Sequence, residues 1–153
     1  MACWLMKSEP DAFSIDDLHD RPRRTEHWDG VRNYQARNFM RDQMKKGEQA
    51  FFYHSSCPEP GIAGIVEIVR EGYPDFTAFD PASAHFDPKS DPDKPRWYMV
   101  DVRFVCKIDP LIALSELKQH RKLQHMRLLQ RGNRLSVMPV TAAEWRYILD
   151  LIS

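Results

Sequence analysis

Alternation of apolar and polar positions predicts at least five strands along the chain. The clearest strand is expected over residues 97–108, where every second side chain is apolar: Val100, Val102, Phe104, Cys106 and Ile108. Shorter apolar runs predict further strands at 3–7, 49–54, 61–69 and 134–140. The last of these is expected at a sheet edge, because Pro139 has no amide hydrogen to donate.

Three helices are predicted from a capping residue followed by apolar positions at helical spacing. Ser14 is expected to start a short helix that ends near His19, and Asn33 to start one whose apolar positions recur through residue 44. Thr141 and Glu144 form a capping box before a final, core-facing helix. Residues 111–130 are predicted to form two short basic helices, and residues 21–27 a basic connection.

Residues 71–96 show no regular period and contain five prolines, at positions 74, 81, 88, 92 and 95. So long a connection inside a compact domain is typical of a functional lid or a disordered insert. Phe76, Phe79 and Phe86 favour an ordered lid, since disordered segments carry few aromatic residues.

These elements predict a single α+β domain spanning residues 1–153. Short strands with irregular connections suit a small, partly open mixed barrel with helices packed outside. No apolar run approaches the roughly 18 residues that a membrane span needs. Lys7 and Glu9 interrupt the apolar N-terminus, so no signal peptide is expected and a cytoplasmic location is predicted.

Formal net charge is zero, but the charge is unevenly distributed. Residues 59–101 carry nine acidic and four basic side chains, whereas residues 103–134 carry eight basic and two acidic ones. The basic segment fits either a solvated face or a polyanion footprint. The three cysteines form no C-x-x-C pair, and no third or fourth ligand accompanies the histidines, so no metal site is expected.

Motifs of common enzyme classes are absent from the sequence. His54 lies beside Ser55 and Cys57, but sequence neighbours at a strand end rarely adopt catalytic geometry. Trp28 and Trp97 flank loops rather than following an apolar stripe, and two such rings could clamp a planar ligand. Packing at the rim of the core is the equally plausible alternative.

Several sequence stretches closely resemble the EVE domain family. They begin at residues 4, 28, 52, 60, 73 and 134 and read WLMKSEP, WDGVRNYQARN, FYHS, PGIAG, YPD and RLS. The resemblance implies a PUA-like pseudo-barrel related to the ASCH and YTH domains. It also implies a pocket that receives a flipped, modified nucleobase and performs no chemistry on it.

Candidate site residues follow from this resemblance and from the boundary tryptophans. Lys7 and Ser8 would offer backbone groups to the base, and Trp28 would form one wall beside Asp29. Trp97 is the candidate for the second wall. The remaining candidates are Asn33 and Ser55 near the base and Arg131 and Arg134 at the phosphate backbone.

The function expected from the sequence is a non-catalytic reader of a modified nucleobase, either modified cytosine in DNA or a modified base in RNA. Its partner would be nucleic acid, with no cofactor, metal or membrane, and the protein would be a monomer. A nucleoside-binding protein, or a hydrolase-like enzyme using His54, Ser55 or Asp75 in the same pocket, is the alternative. A protein-interaction module using the acidic lid is a third possibility.

Overall fold

The computed structural model describes residues 1–152 and contains one mixed sheet of six strands. The strands are β1 (Cys3–Ser8), β2 (Thr25–His27), β3 (Gln49–His54), β4 (Gly61–Pro74), β5 (Tyr98–Ala113) and β6 (Val137–Val140). Their spatial order is β2-β5-β4-β3-β1-β6, so the sheet has two edges and is not closed into a barrel. Among these six strands, β1 and β3 pair in parallel and the other neighbours are antiparallel. The α+β class is confirmed, and β6 is the predicted edge strand.

Within residues 1–152, four short α-helices accompany the sheet: α1 (Ile15–His19), α2 (Tyr34–Asn38), α3 (Leu114–Leu117) and α4 (Ala142–Ile152). The predicted caps are confirmed. The Ser14 side chain accepts a hydrogen bond from the amide of Asp17, and that of Asn33 from the amide of Ala36. After α2 the chain widens into a π-helical turn, where the Met44 amide bonds to the carbonyl of Phe39.

Two predictions about connecting segments were wrong. The first three residues of the segment expected to form two basic helices, 111–113, belong to β5. The rest forms the short helix α3 and two 3₁₀ turns, Arg121–Leu123 and Arg127–Leu129. The basic connection at 21–27 ends in β2, which pairs antiparallel with β5 and places Thr25 opposite Arg103. Three polar residues carry no apolar alternation, so only pairing with a long neighbour makes them a strand.

The lid is the connection between the two longest strands. β4 and β5 pair as far as Pro74 and Tyr98, and the Asp75 amide then donates to the carbonyl of Trp97 at 2.9 Å. A 3₁₀ turn, Phe76–Phe79, follows, and Ala78 is buried. The lid therefore starts and ends on the sheet and has an ordered path, as its aromatic content indicates.

Helix α4 packs on the core through Trp145, whose ring stacks on that of Phe51 with centroids 4.0 Å apart. Trp4 lies in the same sheet and donates its indole N–H to the buried carboxylate of Glu48 at 3.0 Å. Trp4 and Trp145 are therefore core residues, as their positions in apolar runs predict. Across residues 1–152, no helix has the length and apolar character needed to cross a membrane.

Candidate functional site

A pocket of about 500 Å³ opens at the end of β1, within the size range of small-molecule sites. Five separate parts of the chain contribute to it: the end of β1, the turn after it, the segment around β2, the lid and the residue before β6. The lining consists of Lys7, Ser8, Glu9, Ala12, Phe13, Arg21, Glu26, His27, Trp28, Asp29, Gly30, Val31, His85 and Ser136.

Trp28 forms a fixed part of this wall. Its backbone amide donates to the carbonyl of Val100 at 2.7 Å, which continues the pairing of β2 with β5. Its ring is 7% exposed and meets the edge of Phe52 at a centroid distance of 5.3 Å. The backbone of Trp28 is therefore fixed by the sheet, and its ring is supported by Phe52.

The turn after Trp28 is anchored by the fully buried carboxylate of Asp75. One oxygen accepts from the Gly30 amide at 2.9 Å and from the Arg32 guanidinium at 3.0 Å. The other accepts from the amide and hydroxyl of Thr77. Burial alone would raise the pKa of Asp75, but these hydrogen bonds and the charge of Arg32 hold it below its usual range.

His85, which comes from the lid, is part of the pocket wall and lies against the turn after Trp28. Gly30 has a φ of +80°, and a Cβ atom at this position would lie 2.6 Å from the His85 ring. Arg32 donates to the carbonyl of His85 at 2.6 Å. A glycine is therefore required where the turn and the lid meet, for its conformation and for its lack of a side chain.

Lys7 and Ser8 line the pocket at the end of β1. The Ser8 hydroxyl donates to the carbonyl of Phe13 at 2.5 Å, which fixes the turn that follows the strand. Burial lowers the pKa of Lys7, whose ammonium lies 5.8 Å from the ring centroid of Tyr53. Ser55 holds the end of β1 in place, since its amide donates to the carbonyl of Ser8 at 2.9 Å.

Charged groups near β2 are paired along the pocket rim. Arg21 contacts Glu26 at 2.9 Å, and His27 Nδ1 lies 2.9 Å from the same carboxylate. His27 Nε2 is 4.0 Å from the carboxylate of Asp29, which is partly exposed. The wall therefore offers hydrogen-bond donors and acceptors rather than a strong field of one sign.

Trp97 does not share this pocket, so the predicted pair of tryptophan walls is not formed. Its indole N–H donates to Asp87 at 2.7 Å, and its ring stacks on Tyr34 at a centroid distance of 4.9 Å. The Arg32 guanidinium also lies near the ring, at 5.4 Å. These contacts pack Trp97 between the lid and α2, outside the pocket lining.

The other residues predicted from the sequence do not line the pocket. Asn33 caps α2 and is not part of the lining, and neither is Ser55. Arg131 and Arg134 are exposed in the loop that leads to Ser136, which does line the pocket. The sequence reasoning missed Phe13 and His27 as lining residues, because neither belongs to a recognisable motif. His85 is brought in only by the path of the lid.

The residues of the alternative, enzymatic hypothesis make structural hydrogen bonds. His54 Nε2 accepts from the amide of Ile15 at 3.1 Å, so it is not free to act as a base towards Ser55. Asp75 has both oxygens engaged and does not line the pocket. Within residues 1–152, no group of three or more metal-ligating side chains is brought together.

Comparisons with known proteins agree on one family. The EVE domain model matches residues 2–151. Human thymocyte nuclear protein 1 is 50% identical over 165 positions, which cover 97% of this chain and 72% of the human protein.

Solved structures give the same result. A Pseudomonas syringae protein is 54% identical with a TM-score of 0.95, covering 99% of this chain and 100% of its own. The human THYN1 protein, solved in complex with 5-methylcytosine-containing DNA, is 48% identical with a TM-score of 0.94, covering 100% of this chain and 98% of its own. This chain belongs to the EVE domain family.

Proposed function

We propose that this domain reads modified cytosine in DNA by holding the flipped base in the pocket beside Trp28, without catalysis. The observation that carries the proposal is the pre-formed pocket of about 500 Å³ with a fixed tryptophan in its wall. It is supported by 48% identity to the human THYN1 protein, which was solved with 5-methylcytosine-containing DNA. A preformed pocket suits a reader, because base extrusion already costs a few kcal/mol.

The pocket's polar groups match the hydrogen-bonding edge of cytosine. The exocyclic amine of cytosine is a donor that carboxylates accept. Asp29, which lies 4.0 Å from His27 Nε2, and Glu9 are carboxylates of the lining that can accept it. The cytosine ring also carries acceptors, for which Lys7, a lining residue, carries an ammonium donor. Trp28, with Phe13, provides the apolar surface for the ring and its methyl group.

The remaining candidates take supporting roles in this proposal. Asn33 fixes the start of α2, and Ser55 holds the backbone of Ser8. Trp97 positions the lid rather than stacking on the base. Arg131 and Arg134 contact flanking phosphates from the loop before Ser136, an attraction that would weaken as the salt concentration rises.

Three further features belong to the proposal. The proposed oligomeric state is a monomer, and light scattering tests this. A modified base in RNA would fit the same pocket and is tested with a matched RNA oligonucleotide. A cytoplasmic location is tested by imaging a fluorescent fusion.

The direct test is titration of matched oligonucleotides carrying cytosine or 5-methylcytosine. The wild type should bind the methylated form more tightly. Trp28→Ala should lose about 1–3 kcal/mol of binding free energy, the worth of one base–aromatic stack, and with it the preference. Trp97→Ala is the matched control, since both rings are 7% exposed but only Trp28 lines the pocket; it should keep the preference, with folding checked by circular dichroism.

Other results would redirect the assignment. Equal binding of both oligonucleotides by the wild type would refute a reader of cytosine methylation. A free modified nucleoside that binds as tightly as the oligonucleotide would favour a small-molecule receptor, and turnover of that nucleoside would establish an enzyme. Binding of a protein to the acidic lid without nucleic acid would favour an interaction module.

A further inference from the structure

A strained basic turn lies directly before β2. The Thr25 amide donates to the carbonyl of Pro22, and the two central residues, Arg23 and Arg24, have φ values of 56° and 53°. Positive φ at both central positions is the requirement of a type I′ turn, in which asparagine followed by glycine is the preferred pair. Two consecutive arginines are poorly suited to it, and such strain is concentrated at functional sites.

This turn projects from the rim of the pocket. Arg21 and Glu26, the residues on either side of it, both line the pocket and are joined by an ion pair of 2.9 Å. Arg23 and Arg24 are exposed. Arg23 and Arg24 are each two positions from a lining residue, Arg21 or Glu26, which limits that Cα–Cα distance to at most about 7 Å.

The two guanidinium groups have no acidic partner within residues 1–152. Arg24 lies over the ring of Phe104 at 5.7 Å, a contact that leaves its charge uncompensated. Arg23 has neither an ion pair nor a ring contact there. Arg21, in contrast, is neutralised by Glu26. The turn therefore offers two uncompensated positive charges beside the pocket mouth.

We propose that the Arg23–Arg24 turn binds the phosphates adjacent to the base held in the pocket. The inference rests on the proposed function, because it takes the pocket occupant to be part of a nucleic acid strand. Neighbouring phosphates must lie at the mouth when a base enters such a pocket, and guanidinium groups match phosphate geometry. The strained turn carries both arginines on one short segment between two lining residues.

The test combines stability with the salt dependence of binding. Arg23→Asn/Arg24→Gly installs the preferred turn residues and removes both charges. It should raise the Tm by a few degrees. The slope of log K against log salt for a methylated duplex should become less steep by about 1.8, which corresponds to the loss of two phosphate contacts. Between 50 and 200 mM salt, the wild type should then lose about tenfold more affinity than the variant.

Two control variants isolate the cause. Arg23→Lys/Arg24→Lys keeps both charges and should keep the salt dependence. Lys122→Gln/Arg146→Gln also removes two positive charges, from a separate surface depression lined with Ala143, Tyr147 and Asp150; it should leave the salt dependence nearly unchanged.

The outcomes separate this inference from the proposed function. If Arg23→Asn/Arg24→Gly keeps the wild-type salt dependence while the preference for 5-methylcytosine persists, the turn does not bind phosphate and the inference is wrong. An equal decrease for Lys122→Gln/Arg146→Gln would also overturn it, because net charge alone would then be responsible. A decrease confined to the turn, in a protein without any preference for methylation, would support phosphate binding but refute the reader.

Discussion

At the scale of single residues, Gly30 links the pocket wall to the lid and to the sheet. Its amide is held by Asp75, its φ is positive, and its α-carbon faces the ring of His85. Arg32 binds both Asp75 and the carbonyl of His85 from the same turn. The shape of the pocket near Trp28 therefore depends on the lack of a side chain at one position.

Gly30→Ala is expected to destabilise the protein and to weaken binding. A left-handed conformation costs an alanine about 1–2 kcal/mol, and its Cβ would also push His85 away. Gly132→Ala is the matched control, since Gly132 has a φ of +81° but nothing within 4 Å of the added atom. Urea unfolding should show a larger loss for Gly30→Ala. Equal losses, with unchanged binding of the methylated oligonucleotide, would mean that His85 does not shape the pocket.

Individual residues were predictable where the cause is local. The cap at Asn33 follows from its own side chain and the next three residues, and the position of Trp28 at a turn follows from Gly30. The surroundings of Trp97 are not local, since Asp87 and Tyr34 come from the lid and from α2. Its distance from Trp28 was therefore inaccessible to sequence patterns, and so was the engagement of Asp75 by Gly30 and Arg32.

At the scale of elements, α1 is held to the sheet through its first amide. Ile15 donates this amide to His54 Nε2 at the end of β3, while Ser14 caps the same helix. A ring nitrogen can accept a hydrogen bond only when it is unprotonated. The attachment of α1 therefore depends on the neutral form of His54.

We expect a pH-dependent loss of stability that His54→Gln removes. Burial lowers the pKa of His54, with Asp16 and Lys107 acting in opposite directions. Because the folded pKa is below the unfolded value of about 6.5, the contribution is complete above that pH and is lost as the pH falls through the folded pKa. It should amount to about 1 kcal/mol, the net worth of one hydrogen bond.

Urea unfolding of both proteins from pH 8 to pH 5 measures this contribution. The difference in unfolding free energy between wild type and His54→Gln should shrink towards low pH. A constant difference would show that protonation of His54 is not coupled to the attachment of α1.

Elements were predictable when their own residues carried a period or a cap. β3 was predicted with its exact ends, and α1, α2 and α4 began at the expected residues. β2 was missed because its three polar residues become a strand only by pairing with β5. β5 was predicted too short, because its last residues are strand only through pairing with the start of β4, where Gly61 lies opposite Ala113.

At the scale of the whole molecule, the pocket depends on the complete fold. Its lining extends from Lys7 to Ser136 and combines the end of β1, the segment after β2, the lid and the residue before β6. The sequence predicted the class of the fold and two parts of this pocket, the end of β1 and the turn at Trp28. It did not predict which loops meet there. Such meetings depend on strand order, which is set by contacts between residues far apart in the chain.

Because the pocket exists only in the folded chain, its ligand should stabilise the whole domain. At a methylated oligonucleotide concentration of 100 times the Kd, linkage predicts about 2.7 kcal/mol of added stability. For a domain of this size, that corresponds to a Tm increase of about 5–11 °C in a thermal unfolding scan. At the same concentrations, the unmethylated oligonucleotide should produce a smaller increase. Trp28→Ala, with binding weakened by about 1–3 kcal/mol, should gain only about 0.3–1.8 kcal/mol and should not distinguish the two oligonucleotides. Equal increases with both oligonucleotides would mean that the methyl group is not read, whether the contacts are to the phosphates or to the cytosine ring.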